Sequence, residues 1–180
     1  MRDVALSMAA SQSDSIVGRK VAVLVADGVD AASIDALRQA LEAGGASVKI
    51  VAPRLGELKR LAGSTVTVDH SLPTVSSVLF DAVLVSGGAA IASALCEDAN
   101  AVLFVKEAYK HGKAIAAIGD GAKLVATAAR SADCVNGEFV GPGVVAIKGN
   151  TVTAAFVKSF IQSVAAHRYP ERKDLAAIIA

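Results

Sequence analysis

At 180 residues the chain is long enough for one domain with a full core, since a domain of this size hides roughly 70% of the surface its unfolded chain exposes. Hydrophobic residues make up 53% of it, with no Trp, 4% aromatics, and a net charge of +1 from 18 Lys and Arg against 17 Asp and Glu. That composition suits a tightly packed, layered α/β protein and excludes an aromatic-lined groove, a basic stripe for nucleic acid and, with no apolar run near 18 residues, a membrane span. Cys96 and Cys134 have neither C-x-x-C spacing nor a nearby His pair, so no metal is expected and a reducing compartment is. No signal-like segment opens the sequence, and the expected location is the cytoplasm.

Residues 1–18 are Ser- and Ala-rich without sustained periodicity and read as a linker stub or tail. Lys20 to Ala26, K-V-A-V-L-V-A, is a short, continuous, β-branched run, the pattern of a parallel strand buried on both faces. Asp30 is placed to cap a helix whose Ile34, Leu37 and Leu41 share a face, with Gly44-Gly45 as its stop. Ser47 to Ala52 gives the second strand, ended by Pro53. Val66 and Val68 alternate with polar residues around Gly63-Ser64, which predicts a hairpin appended to the main sheet. Asp81 to Ser86 is another buried strand, followed by Gly87-Gly88 and a small-residue helix from Ala89 to Leu95. Asp98 opens a helix with Val102, Val105 and Tyr109 on one face, stopped by Gly112.

Ala114 to Ile118 reads as a central strand that breaks sharply at Gly119-Asp120-Gly121 and continues as a helix. Val144 to Ile147 and Thr151 to Val152 predict two short strands about a Gly149-Asn150 turn. A last helix spans roughly Thr153 to His167, with Val157, Phe160, Ile161 and Val164 on its apolar face and Pro170 beyond it. Residues 19–168 thus read as one domain and 169–180 as a tail or short helix. Alternating strands and helices imply an α/β three-layer sandwich with a mostly parallel sheet, whose sites lie beyond the carboxyl ends of the strands. Three loops meet there: Asp27 to Ser33, Ser86 to Ala89, and Gly119 to Gly121.

A strand-turn-helix corner can expose a nucleophile that a neighbouring acid or base activates and backbone N–H groups complement. Here the tip is Gly119, which has no side chain, and neither Cys lies in any of the three loops. Asp120 alone is one carboxylate without a nucleophile. Glycine relieves the backbone strain of such a corner and removes the chemistry, leaving Gly87-Gly88 to close strand–helix packing instead of holding an oxyanion. A phosphate or flavin site at the helix start fits less well. Leu124 stands where a third glycine belongs, and Asp120 puts negative charge where a phosphate would sit; a flavin binder would be yellow. His70 falls in the hairpin region, while His111 and His167 fall at helix ends, where they complement the helix dipole. Cys134 reads as a small buried hydrophobe ahead of the alternative, a modestly exposed thiol, and Lys106, Lys110, Lys113 and Lys123 as solvated helix faces.

Four motifs together carry a family resemblance: G-R-K-V-A-V-L-V-A-D-G-V-D from Gly18 to Asp30, F-D-A-V-L-V-S-G-G from Phe80 to Gly88, F-V-K-E-A-Y-K-H-G-K from Phe104 to Lys113, and the A-I-G-D-G-A corner at Ala117 to Ala122. With these the chain resembles, over residues 18–170, the C-terminal flavodoxin-like domain of large-subunit haem catalases, and A-L-S-M at Ala5 to Met8 looks like the linker that follows the haem-bearing barrel. That domain is in turn similar to the class I glutamine amidotransferase-like superfamily, which includes PfpI-type intracellular proteases and Parkinsonism-associated deglycases. Active members carry a Cys at the elbow and a Glu from the loop after the first strand; matching the motifs puts these on Gly119 and Ser33. The resemblance therefore implies a degenerate site at Gly119, Asp120, Gly121 and Ser33, with no catalysis by this chain and no cofactor in it. It also implies that haem and peroxide chemistry belong to a preceding domain, whose distal His and Asn and proximal Tyr map to nothing here. The implied partners are that haem domain and its homotetramer neighbours, and the implied roles are support of the tetramer and holdase action on unfolding clients. The opposing expectation is a stand-alone PfpI-type hydrolase or deglycase-like protein with a degenerate active site.

Overall fold

The computed structural model describes residues 14–61, 63–129, 134–135, 138–139 and 141–172. Residues 1–13, most of the segment around Cys134, and 173–180 lie outside the described residues, and with them most of the expected linker and tail. The short apolar runs form β1 (Lys20–Leu24), β2 (Ser47–Ala52), β6 (Ala82–Val85), β7 (Ala114–Ile118) and β10 (Val144–Ile147), which with the two-residue β5 (His70–Ser71) make a six-stranded sheet. Its order is β10-β7-β6-β1-β2-β5 and every pairing is parallel. Val21 sits opposite Val48 on one side and Ala82 on the other. The central strands are buried residue after residue because helices cover both faces.

From β1 the chain winds outward through α1 (Ala31–Ala43) to β2. From β6 it winds the other way through α2 (Ala89–Glu97) and α3 (Ala99–Lys110) to β7. Right-handed crossovers in opposite directions place these helices on opposite faces. Accordingly α1 touches α5 (Ala154–Ala166), while α2 and α3 pack on α4 (Ala122–Ala129). The winding reverses between β1 and β6, which opens a crevice at the carboxyl ends of those strands.

Side chains fix the helix starts where the sequence expects them. Asp30 accepts from the N–H groups of Ala32 and Ser33, Asp98 from those of Asn100 and Ala101, and the Thr153 hydroxyl from that of Phe156. Each such cap is worth about 1 kcal/mol. The hairpin forms as β3 (Gly56–Lys59) against β4 (Thr65–Val68), a separate antiparallel pair. A second short pair, β8 (Cys134–Val135) with β9 (Glu138–Phe139), precedes β10.

Three expectations need correction. His70 belongs to edge strand β5, opposite Val51, with its ring edge-on to Phe80. Thr151 and Val152 form no strand; these residues bring the chain back from β10, and Thr153 is used as a cap. Lys113 is not on a solvated face. It is 2% exposed, and its amine donates to the carbonyl oxygens of Ser77 and Phe80. Ile16 and Arg172, outside the expected domain bounds of 19–168, are buried as well.

Burial, with the charge of Arg168 second, lowers the Lys113 pKa from its ordinary 10.5 to about 8. A neutral amine has two N–H bonds and the site offers it two carbonyls. Between about pH 8 and 10.5 the unfolded chain therefore holds a proton that the folded chain has released, so this group adds stability as pH rises through that window. In Lys113→Met that upward contribution is expected to vanish. Urea midpoints from pH 7.5 to 10.5 test it, and parallel profiles for the two proteins would refute it.

Candidate functional site

The three loops converge as expected. After β7, Gly119–Gly121 forms a single 3₁₀ turn that leads into α4, and Gly119 has φ +48°, a left-handed conformation that L side chains rarely adopt. A Cβ on Gly121 would stand 2.6 Å from the carbonyl oxygen of Ser86, so the start of α4 packs directly on the loop after β6. A Cβ on Gly119 would stand 2.6 Å from Oδ1 of Asn150 and 3.1 Å from the carbonyl oxygen of Gly149. A Cβ on Gly87 would also meet Oδ1 of Asn150 at 2.6 Å. The Asn150 amide therefore fills the space between the two glycines, where an elbow side chain would project.

Asn150 is held from its backbone. The Ser33 hydroxyl oxygen lies 2.7 Å from the Asn150 carbonyl oxygen and 2.6 Å from Oδ2 of Asp30; its one proton serves one acceptor at a time. The Ser33 hydroxyl, more than the backbone N–H groups of Ser33 and Ala32, holds the Asp30 carboxyl below the usual range against the opposing effect of burial. Ser33 thus links the first loop to the chain that plugs the elbow.

Asn150 also walls off two cavities. An outer one of about 230 Å³ is lined by Gly119, Asp120, Lys148 and Gly149 among others. An inner one of about 10 Å³, no larger than one water, is lined by Asp30, Ser33, Ser86 and Gly87. The buried Ser86 hydroxyl has no hydrogen-bond partner among the described residues. Asp120 forms an ion pair with Lys123 at 2.7 Å. The structure thus brings Ser33, Gly87 and Gly119 together around Asn150, with no side chain at the elbow tip.

The remaining candidates stand apart. His111 caps the end of α3 with Glu107 3.4 Å from its ring; His167 caps α5 with its ring 3.2 Å from Asp81. Cys96 is a free, half-buried thiol on α2. Among the described residues no three His, Cys, Asp or Glu side chains cluster as metal ligands, and no helix is long and apolar enough to cross a membrane. Sequence reasoning missed Asn150 as a site residue. It reads as a turn residue beside Gly149, and nothing local ties it to Gly119 or Ser33.

Residues 17–174 match the family described as the C-terminal domain found in long catalases. Among curated proteins, the chain is 37% identical over 176 residues to catalase HPII of Mycobacterium avium, covering 94% of this chain and 25% of that protein. It is 33% identical over 175 residues to catalase-2 of Bacillus subtilis, covering 96% and 24%. The chain thus spans about a quarter of the length of these relatives. Among solved structures, a ThiJ/PfpI domain protein from Brachyspira murdochii superposes with a TM-score of 0.69 at 20% identity, covering 86% of this chain and 98% of that one. A two-domain protein from Anabaena variabilis with DJ-1/ThiJ/PfpI-like and ferritin-like domains gives 0.67 at 18%, covering 89% and 56%. These structures establish a shared fold.

Proposed function

The chain belongs to the family of C-terminal domains found in long catalases, and on that premise we propose that it is a non-catalytic domain of a haem catalase, supporting the tetramer and shielding unfolding client proteins in the cytoplasm. Decomposition of hydrogen peroxide is then the work of the rest of the subunit. The observation that carries the non-catalytic part is the filled elbow, where the Asn150 amide lies against Gly119 in place of a nucleophile. Haem does not fit the elbow site: its outer cavity, of about 230 Å³, falls short of the roughly 300–1,000 Å³ of pockets for drug-sized ligands. The residues here take no part in its chemistry.

Two measurements test the proposal. The mass and haem spectrum of the protein purified from its own cells should show a long subunit with a haem band; an 18.1 kDa product without haem would overturn the parent assignment. Light scattering of a heat-aggregating model enzyme, with equimolar chain or an inert protein of equal mass, tests the holdase part. Suppression by the chain alone is the expected result, and equal scattering removes that role.

A further inference from the structure

On the sheet face covered by α2, α3 and α4, the segment from Leu72 to Leu79 runs beside α3, and a groove of about 180 Å³ lies between them. Leu72, Pro73, Val75, Leu103 and Phe104 give it an apolar lining. Three of the large apolar side chains left in solvent belong to the same two elements: Val78 at 74% exposure, Leu79 at 59% and Leu103 at 54%. The turn that carries the first two is anchored. It is a 3₁₀ turn, Ser77–Leu79, and the buried Lys113 amine grips the carbonyls of Ser77 and Phe80 on either side of it. A buried amine thus fixes a turn that holds two apolar side chains in water. Apolar surface presented in this way marks an interaction site.

The surroundings indicate the occupant. In the relatives this domain is carboxyl-terminal and about a quarter of the whole, so a body about three times larger is joined at its amino-terminal side. The described chain enters the sheet there. The Lys20 N–H donates to Oδ2 of Asp81 and the Asp81 N–H to the Lys20 carbonyl, which places Leu79 two residues from the entry strand. A neighbour tethered in the same chain acts at an effective concentration of the order of millimolar, so it covers apolar surface near the tether ahead of any free copy.

We propose that the groove between residues 72–79 and α3, with its rim of Val78, Leu79 and Leu103, is the surface on which this domain docks against the polypeptide that precedes it in a long catalase subunit. This rests on the parent assignment above. The test compares hydrogen exchange of the native long subunit with that of the 180-residue chain. Amides of residues 76–80 and 100–107 should exchange at least about tenfold more slowly in the long subunit. The pair Leu79→Asp and Leu103→Asp should abolish that protection and let a protease free the domain, while leaving the unfolding midpoint of the 180-residue chain unchanged. Equal exchange in a haem-bearing long subunit overturns the proposal alone. Protection that appears in the short chain as its concentration rises assigns the face to a second copy and also overturns it. A native product with no preceding polypeptide overturns both this and the parent assignment.

Discussion

Arg172→Ala is expected to lower the unfolding free energy by about 4 kcal/mol. Arg172 is 3% exposed. Its guanidinium donates to the carbonyl oxygens of Pro142 at 2.8 Å, Tyr109 at 2.9 Å and Lys113 at 2.6 Å, and lies 4.5 Å from the centroid of the Tyr109 ring. These acceptors are neutral, so the cost of burying the cation is offset by carbonyl dipoles and ring faces; burial lowers its pKa to about 10, which leaves it charged at neutral pH. Removing the side chain strands buried carbonyls at about 1–3 kcal/mol each. The Tyr109 oxygen keeps the N–H of Gly112 as a second donor, which trims the total. Arg172→Lys should recover little, because one ammonium cannot span three acceptors that the planar fork reaches together. Urea unfolding at pH 7 measures both variants. A loss under about 1 kcal/mol for Arg172→Ala, within the range of surface substitutions, would show that residues 167–172 do not belong to the cooperative core.

Gly119→Cys, which gives the elbow tip the side chain it lacks, should cost about 2–4 kcal/mol. Left-handed backbone accounts for about 1–2 kcal/mol of that, and the remainder is overpacking against Asn150 and Gly149. Asn150→Gly by itself removes the plug and keeps the backbone carbonyl that faces Ser33. The double variant should therefore be more stable than the sum of the single costs by more than about 1 kcal/mol, the coupling expected of groups that compete for one space. Its elbow thiol should react with a disulfide reagent in the folded protein faster than that of Gly119→Cys alone. Additive costs with equal thiol reactivity would mean that Asn150 does not occupy the elbow in solution.

Much of the architecture was legible because its determinants are local. Short, continuous apolar runs became the longer parallel strands, and Asp30, Asp98 and Thr153 became N-caps because a capping carboxylate or hydroxyl acts within three residues of itself. Thr151 and Val152 misled because β-branched residues after a Gly-Asn pair look like the return strand of a hairpin, whereas β10 pairs in parallel with β7. Lys113 misled because lysines are almost never fully buried unless paired, and here the pairing is with the carbonyls of Ser77 and Phe80, 36 and 33 residues away.

The sequence by itself determined the layered α/β class, the order of its longer parallel strands and its helices along the chain, and the lack of a side chain at the elbow tip, since each depends on residue type and short-range periodicity. Only the tertiary structure decided what stands in the vacated elbow and what holds the far end of the sheet closed. Asn150 meets Ser33 across 117 residues, and Arg172 reaches Tyr109 across 63. No local pattern encodes contacts at such separations. They exist only once parallel strands, which require long crossovers, have brought distant loops to the same end of one sheet.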